Sequence, residues 1–192
     1  MITSNRTDIL PYDRNHYIDF LFGVPISSVN WYGVSFQVDP KGKEFNLADF
    51  IALYDPWFKK VISTFERGSS WIINHDKNDL EWFPNNDDLP ALRNFFKRND
   101  ISANFRGALI CSEELLMELS KDLISYPYGL FKEEDLFYSN IDISHRELPF
   151  VIKVLDHLNI DLLSTDERLL SKVISETNSD SFLLKPYRGT SL

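Results

Sequence analysis

The hydrophobic pattern of the first hundred residues predicts a mixture of strands and helices. Residues 17–24 form an aromatic and β-branched run that ends at a proline, which predicts a strand. Residues 31–38 alternate apolar and polar side chains, the period of a half-buried strand. Across residues 47–65 apolar side chains recur every three or four positions, which predicts a helix capped by Asn46. Pro56 either kinks that helix or starts a second one.

The next elements predicted are a hairpin and a short helix. Residues 71–74 and 80–83 are mostly apolar and flank the polar stretch 75–79, which is typical of two strands joined by a tight turn. Pro90 suits the first turn of a helix that we expect to run to about Arg98.

In the second half of the chain, predicted strands and helices alternate. Strands are predicted at 105–111, 136–141, 160–163 and 182–184. Ser112 caps a predicted helix that ends before Pro127, and capping-box patterns at 144–147 and 164–167 open two more. Such alternation is typical of strands joined by crossover helices.

These elements predict an α+β fold, a mixed sheet with helices packed on it and a C-terminal half of alternating strand and helix. A 192-residue chain buries roughly 70% of its unfolded surface, enough for one core without disulfides or a structural metal. We therefore expect a single domain over 1–192, with two lobes, 1–100 and 101–192, as the alternative division.

The net charge of −9 limits the classes of partner that we expect. Residues 101–192 carry 15 acids and 9 bases, so the C-terminal half is the acidic one. A field of this sign repels nucleic acid and anionic membranes and attracts a basic protein, although negative charge also serves solubility alone. Cys111 is the single cysteine, the N-terminus lacks an apolar signal region and no apolar run is long enough for a membrane span, so we expect a cytoplasmic protein.

No catalytic motif accompanies this charge. The sequence has no phosphate-binding glycine loop, no nucleophile elbow and no paired histidine or cysteine spacing for zinc, so we expect neither cofactor nor metal. Cys111 ends a predicted strand and is interpreted as a small buried residue. A hydrolase built from dispersed carboxylates and His75 or His145 stays open as an alternative, because catalytic groups converge in space. A structural or adaptor subunit is a further alternative.

Two acidic and aromatic segments are the candidate binding surfaces. Residues 75–88 hold five acids and one lysine around Trp82 and Phe83, and residues 126–135 place aromatic side chains beside three acids. Carboxylates steer a basic partner and an aromatic anchors the contact, although core packing is the favoured explanation of the aromatics themselves. The candidate partner-binding residues are Asp76, Asp79, Glu81, Trp82, Asp87, Asp88, Tyr128, Glu133, Glu134 and Asp135.

This small, acidic, aromatic-rich profile without a catalytic motif resembles the immunity proteins that bacteria encode beside secreted toxins. The resemblance covers the whole chain as a profile and carries over no individual residue. It implies a cytosolic protein that neutralises a toxin domain by covering its active site or substrate cleft with complementary charge.

Overall fold

An antiparallel sheet forms the centre of the fold in the computed structural model, which describes residues 3–4, 9–24, 29–38, 45–75, 81–83, 89–102, 104–129 and 140–191. Its eight strands are β1 (Thr3–Ser4), β2 (Tyr32–Val38), β3 (Ser70–His75), β4 (Ala108–Ser112), β5 (Ile141–His145), β6 (Phe150–Val154), β7 (Asn159–Ser164) and β8 (Phe182–Pro186). They are ordered β1-β4-β3-β5-β6-β7-β2-β8. The helices are α1 (Arg14–Leu21), α2 (Leu47–Ile62), α3 (Pro90–Arg98), α4 (Glu113–Glu118), α5 (Ser120–Gly129) and α6 (Glu167–Thr177).

The predicted α+β class is confirmed, but two details of it are wrong. Every strand pair in the described ranges is antiparallel, so the sheet is not mixed there. In the C-terminal half β5, β6 and β7 follow one another directly as neighbouring antiparallel strands, without crossover helices between them. Strands from 1–100 and from 101–192 are interleaved in one sheet, which therefore has no division near residue 100.

The β5–β6 turn replaces the helix predicted after residue 144. The imidazole Nδ1 of His145 accepts the backbone N–H groups of Glu147 at 3.1 Å and Leu148 at 3.0 Å, which closes a turn where the capping-box pattern suggested a helix start. All five residues of β6 are buried because both faces of the sheet are covered at this strand. A strand buried on both faces lacks the apolar-polar alternation of a half-buried strand, so its residues matched a helical spacing by chance.

Residues 17–24 also differ from the prediction, since α1 occupies most of the expected strand. The carboxylate of Asp13 accepts the backbone N–H groups of Asn15 at 2.8 Å and His16 at 3.3 Å and caps the helix. Tyr17 is the buried residue of α1, and its ring lies 5.1 Å from that of Trp31. The aromatic residues thus pack one side of a helix onto the sheet.

Several helical predictions are confirmed with shifted ends. α2 is one 16-residue helix that Asn46 caps, and Pro56 lies inside it without ending it. α3 begins at Pro90 as expected and buries Leu92 with two phenylalanines. α5, in contrast, continues past Pro127, where the sequence predicted an end.

The hairpin predicted over residues 71–83 is wrong. β3 pairs with β4 on one side and with β5 on the other, so both of its edges are occupied by strands from later in the chain. Residues 81–83 form no strand, and the backbone N–H of Trp82 donates instead to the carbonyl of Phe105 at 3.3 Å. The intervening residues 76–80 lie outside the described ranges.

The two faces of the sheet have different covers. One face packs on the larger helices, and its core includes Phe36, Tyr54 and Trp71. The other face lies under α1 and the residues before it, with Tyr17 and Trp31 in a smaller apolar cluster. Across the described residues, no helix combines the length and the apolar character that crossing a bilayer requires.

Candidate functional site

A row of polar side chains crosses the face of the sheet that α1 covers. Its members occupy directly opposed register positions on six adjacent strands, in the order Lys185, Ser35, Asp161, Lys153, Asp142 and Asn74. Because side chains alternate between the faces of a strand, this register places all six on one face. Five of them, all but Lys185, are buried.

The centre of the row is a buried ion pair. The ammonium of Lys153 lies 3.0 Å from Oδ1 of Asp142, and the side chains are only 5% and 1% exposed. The hydroxyl of Tyr17, from α1, donates to the same carboxylate oxygen at 2.9 Å. These contacts neutralise the charge of Asp142 and attach α1 to the sheet. We assign this structural role to the ion pair.

Asp161 is the second buried carboxylate of the row. Its Oδ1 accepts a hydrogen bond from the amide of Asn159 at 2.9 Å, and its Oδ2 accepts one from the hydroxyl of Tyr187 at 2.5 Å. The side chain of Ser35, opposite on β2, hydrogen-bonds to it as well. Burial raises the pKa of Asp161 above that of a free aspartate, and the three donors and the nearby Lys153 oppose that rise.

A cavity of about 650 Å³ opens beside Asp161. It lies over β7, β2 and β8, and its volume is in the range of small-molecule binding pockets. Apolar walls come from Val38, Phe45 and Leu158, whereas Lys185 also lines the cavity and is exposed. The site therefore combines an apolar wall with a buried carboxylate.

The turn between β6 and β7 forms part of the cavity wall, and Tyr128 holds it in place. Its hydroxyl donates to the carbonyl of Leu155 at 3.0 Å and accepts the backbone N–H of Leu158. Leu158 has φ 55°, a left-handed conformation that costs energy for a leucine and needs such support. Burial raises the pKa of Tyr128 to about 12, so the hydroxyl stays neutral. The described contacts of Tyr128 are thus structural.

Neighbouring strands hold described residues that border the two acidic segments predicted to bind a partner. β3 ends at His75 and β5 begins at Ile141, and these two residues are register partners. The described chain therefore stops before 76–80 and resumes after 130–139 at the same end of the sheet, which we call the His75 end. Asp156 and the cavity lie at this end too, because Val154 and Ile160 continue the same cross-strand row.

Most of the predicted acidic residues fall outside the described ranges. These are Asp76, Asp79, Asp87, Asp88, Glu133, Glu134 and Asp135. Glu81 is described, and its carboxylate lies 3.4 Å from the guanidinium of Arg106, with both side chains substantially exposed. Such a surface pair contributes little to stability and leaves the carboxylate accessible.

Trp82 does not lie at the surface as a partner anchor would. Its side chain is fully buried, its indole N–H donates to the carbonyl of Gly107 at 2.8 Å, and its ring packs against Phe96 and Tyr126. Phe83 beside it is 7% exposed. The prediction that Trp82 belongs to a binding surface is therefore wrong, and the residue occupies a core position. The indole buries a large apolar area, and its N–H donates to a backbone carbonyl.

Two groups considered in the sequence have structural roles: His145, named for the alternative hydrolase, and Cys111, interpreted as a buried residue. Nδ1 of His145 accepts two backbone N–H groups, and burial lowers its pKa. Cys111 is buried, and desolvation raises its pKa to about 12, so the thiol is protonated at neutral pH. Within the described part of the chain, no three histidine, cysteine or acidic side chains are placed to hold a metal ion.

Sequence reasoning missed the cavity because its polar residues come from three separate strands. The available signal was Asp161, a lone acid inside the apolar run 160–163. A carboxylate in a predicted buried strand requires hydrogen-bond or ion-pair partners, and such a cluster of polar groups marks a candidate functional site. Comparisons of the chain with protein-family models, with curated proteins and with solved structures found no match.

Proposed function

We propose that this chain is a cytoplasmic binding protein that occludes a basic protein partner, most simply an immunity protein that neutralises a bacterial toxin domain. The observation that carries the proposal is the pairing of His75 with Ile141. His75 directly precedes one acidic aromatic segment and Ile141 follows the other by a few residues, so the described chain borders both segments at one end of the sheet. The eight acidic positions of these segments are the candidates for one surface, whereas Trp82 lies in the core and Tyr128 supports the β6–β7 turn.

The size of this end fits a protein interface. The strands from β3 to β2 span four interstrand steps, or about 20 Å at roughly 4.8 Å per step. A standard interface covers about 800 Å² on each partner, a patch of comparable width. Carboxylates across such a patch would raise the association rate with a basic partner and suppress association with acidic ones.

The contacts of Asp142, Lys153 and His145 also favour a binding protein over the hydrolase alternative. Asp142 and Lys153 neutralise each other, and His145 closes a turn through its Nδ1 lone pair. General acid-base catalysis needs a group with a free proton site within reach of a substrate. These buried groups instead act as braces of the fold.

The test is the kinetics of association with a basic protein purified from the native cell by binding to this chain. We expect the association rate constant to fall by about tenfold or more between 50 and 500 mM salt, since steering is screened over roughly 10 Å at 0.1 M. Reversing charge with Asp76→Lys, Asp79→Lys and Glu81→Lys together should slow association similarly.

The matched control reverses three exposed acids at the opposite end of the sheet, with Glu66→Lys, Glu114→Lys and Glu147→Lys. It changes the net charge by the same amount, so any excess effect of the first triple variant reports local contact. Equal rate constants for the two triple variants, or association that is indifferent to salt, would contradict the proposed surface.

A further inference from the structure

Three adjacent strands build the floor of the cavity from side chains that share one face of the sheet. β7 contributes Asn159 and Asp161, and β2 contributes Ser35 and Gln37. β8 contributes Lys185, which lies opposite Ser35. Because register partners and residues two positions apart on a strand point to the same side, all five side chains lie on the cavity side of the sheet.

Most polar groups of this floor already bind one another. The side-chain amide of Asn159 donates to Oγ of Ser35 at 2.8 Å and to Oδ1 of Asp161 at 2.9 Å, which uses both of its hydrogen atoms. The amide of Gln37 donates to the same serine oxygen at 3.3 Å. Asp161 is fully buried, accepts hydrogen bonds from its neighbours and feels the charge of Lys153, so it presents no accessible anionic group to the cavity.

Lys185 is the charged side chain of this floor that a ligand can reach. It is exposed, and no acidic side chain in the described ranges lies within 4.0 Å of its ammonium group. His157 also lines the cavity with its side chain 82% exposed, but its Nε2 lies 3.5 Å from a carboxylate oxygen of Asp156, which balances the imidazole when it is protonated. A ligand in the cavity therefore meets, at Lys185, a positive charge that no described acid neutralises.

The remaining walls of the cavity are mainly apolar. Val38, Phe45 and Leu158 offer contact area for an aromatic or aliphatic body. The volume of about 650 Å³ suits a small organic molecule, since pockets for such ligands range roughly from 300 to 1,000 Å³. The ligand that fits is thus largely apolar and carries a negatively charged group.

The charge of the lining favours a carboxylate over a phosphate. A phosphate monoester carries about two negative charges at neutral pH, and one lysine would leave the second charge uncompensated in a chain whose net charge is −9. A carboxylate carries a single negative charge, which the ammonium of Lys185 balances. The cavity therefore matches a monoanion.

We propose that the cavity binds a small molecule that carries one carboxylate on an aromatic or aliphatic body. The body occupies the space between the apolar walls, and the carboxylate pairs with the exposed ammonium of Lys185. This ligand is distinct from the basic protein partner, and the proposal goes beyond the proposed function without depending on it.

The test is an NMR titration of the purified chain with naphthylacetate, followed through the side-chain amide signals of Gln37 and Asn159. We expect saturable shifts, with binding about threefold or more tighter than that of the uncharged naphthylacetamide, as an ion pair at a solvent-exposed lysine gives. The cationic naphthylethylamine should bind more weakly than the amide, because Lys185 repels it.

Three variants locate the binding. Lys185→Met removes the charge and keeps the apolar stem, so it should abolish the preference for the carboxylate over the amide. Lys172→Met is the matched control, since it removes an exposed charge from α6, and it should leave that preference unchanged. Gln37→Trp fills the cavity and should abolish the binding of both probes, followed through the Asn159 signals.

Equal binding of the carboxylate and the amide to the wild-type chain, tighter binding of the amine, or no saturable shift would overturn the site. A carboxylate preference that persists in Lys185→Met would overturn the role of this lysine. Unaltered binding to folded Gln37→Trp would show that the probe binds outside the cavity and would overturn the proposal as well. The titration contains no partner protein, so its outcome is separate from that of the proposed function.

Discussion

Gly33 offers the sharpest test of how the C-terminal segment is fixed to the sheet. A Cβ atom at this position would lie 2.9 Å from Cδ2 and 3.2 Å from Cγ of Tyr187. The Tyr187 ring cannot simply retreat, because its backbone N–H donates to the Gly33 carbonyl at 2.8 Å. In Gly33→Ala the ring must therefore rotate, and its hydroxyl must leave Asp161, which it contacts at 2.5 Å.

The cost of Gly33→Ala follows from these contacts. A hydrogen bond to a charged group contributes about 1.5–3 kcal/mol, and overpacking costs about 1–3 kcal/mol. The better strand preference of alanine offsets about 0.5–1 kcal/mol. We expect the free energy of unfolding to fall by about 1.5–5.5 kcal/mol, measured by urea denaturation followed through tryptophan fluorescence with linear extrapolation.

A double-mutant cycle separates the lost hydrogen bond from general crowding. Tyr187→Phe removes only the hydroxyl and should lower the free energy of unfolding by about 1.5–2 kcal/mol. This is the lower end of the range for a hydrogen bond to a charged acceptor, because the Tyr187 ring is half-buried. If Gly33→Ala acts by displacing that hydroxyl, the double variant should cost about 1–1.5 kcal/mol less than the sum of the single variants. Additive costs, or a loss below about 0.5 kcal/mol for Gly33→Ala, would refute this account.

Two further predictions concern buried side chains. Asp161 has a raised pKa in the folded state, so its contribution to stability is greatest below its unfolded-state pKa of about 4 and is lost as the pH rises through its folded-state pKa. The unfolding free energy of the wild type relative to Asp161→Asn should therefore fall over that rise in pH. A difference that stays constant in pH-dependent denaturation would contradict this. Trp82→Ala should cost about 3–5 kcal/mol in urea denaturation because the indole is fully buried, whereas a surface position predicts a change below about 0.5 kcal/mol.

The sequence predicted those elements whose local signals agree with their burial. β2 alternates cleanly, and α2 has both an Asn46 cap and a helical period, so both were found with nearly correct ends. The α6 helix was found from the capping-box pattern at 164–167, although Asp166 is the actual cap. Local chemistry was enough for the two helices, which have one buried and one solvated face, and for β2, whose two faces differ in polarity although both are buried.

The failures share a tertiary cause. β6 is buried on both faces, which removes the alternation that identifies a strand, and α1 is a short helix whose aromatic residues were interpreted as a strand. From the sequence we could propose only the acidic segments as a site, and most of their residues lie outside the described ranges. Neither the cavity nor the adjacency of His75 and Ile141 could be predicted, because strand order depends on pairings between residues far apart in the chain.

The buried polar row explains why the sheet adopts this register rather than a neighbouring one. A slip of one residue would turn Asp161 and Lys153 into the apolar core under the helices and bring Ile160 and Ile152 beneath α1. The desolvation cost of unpaired buried charges disfavours that arrangement strongly. The register that protects the Asp142–Lys153 pair also places Ser35, Asp161 and Lys185 side by side. The register that specifies the fold therefore also places the buried carboxylate of Asp161 beside the cavity at the His75 end.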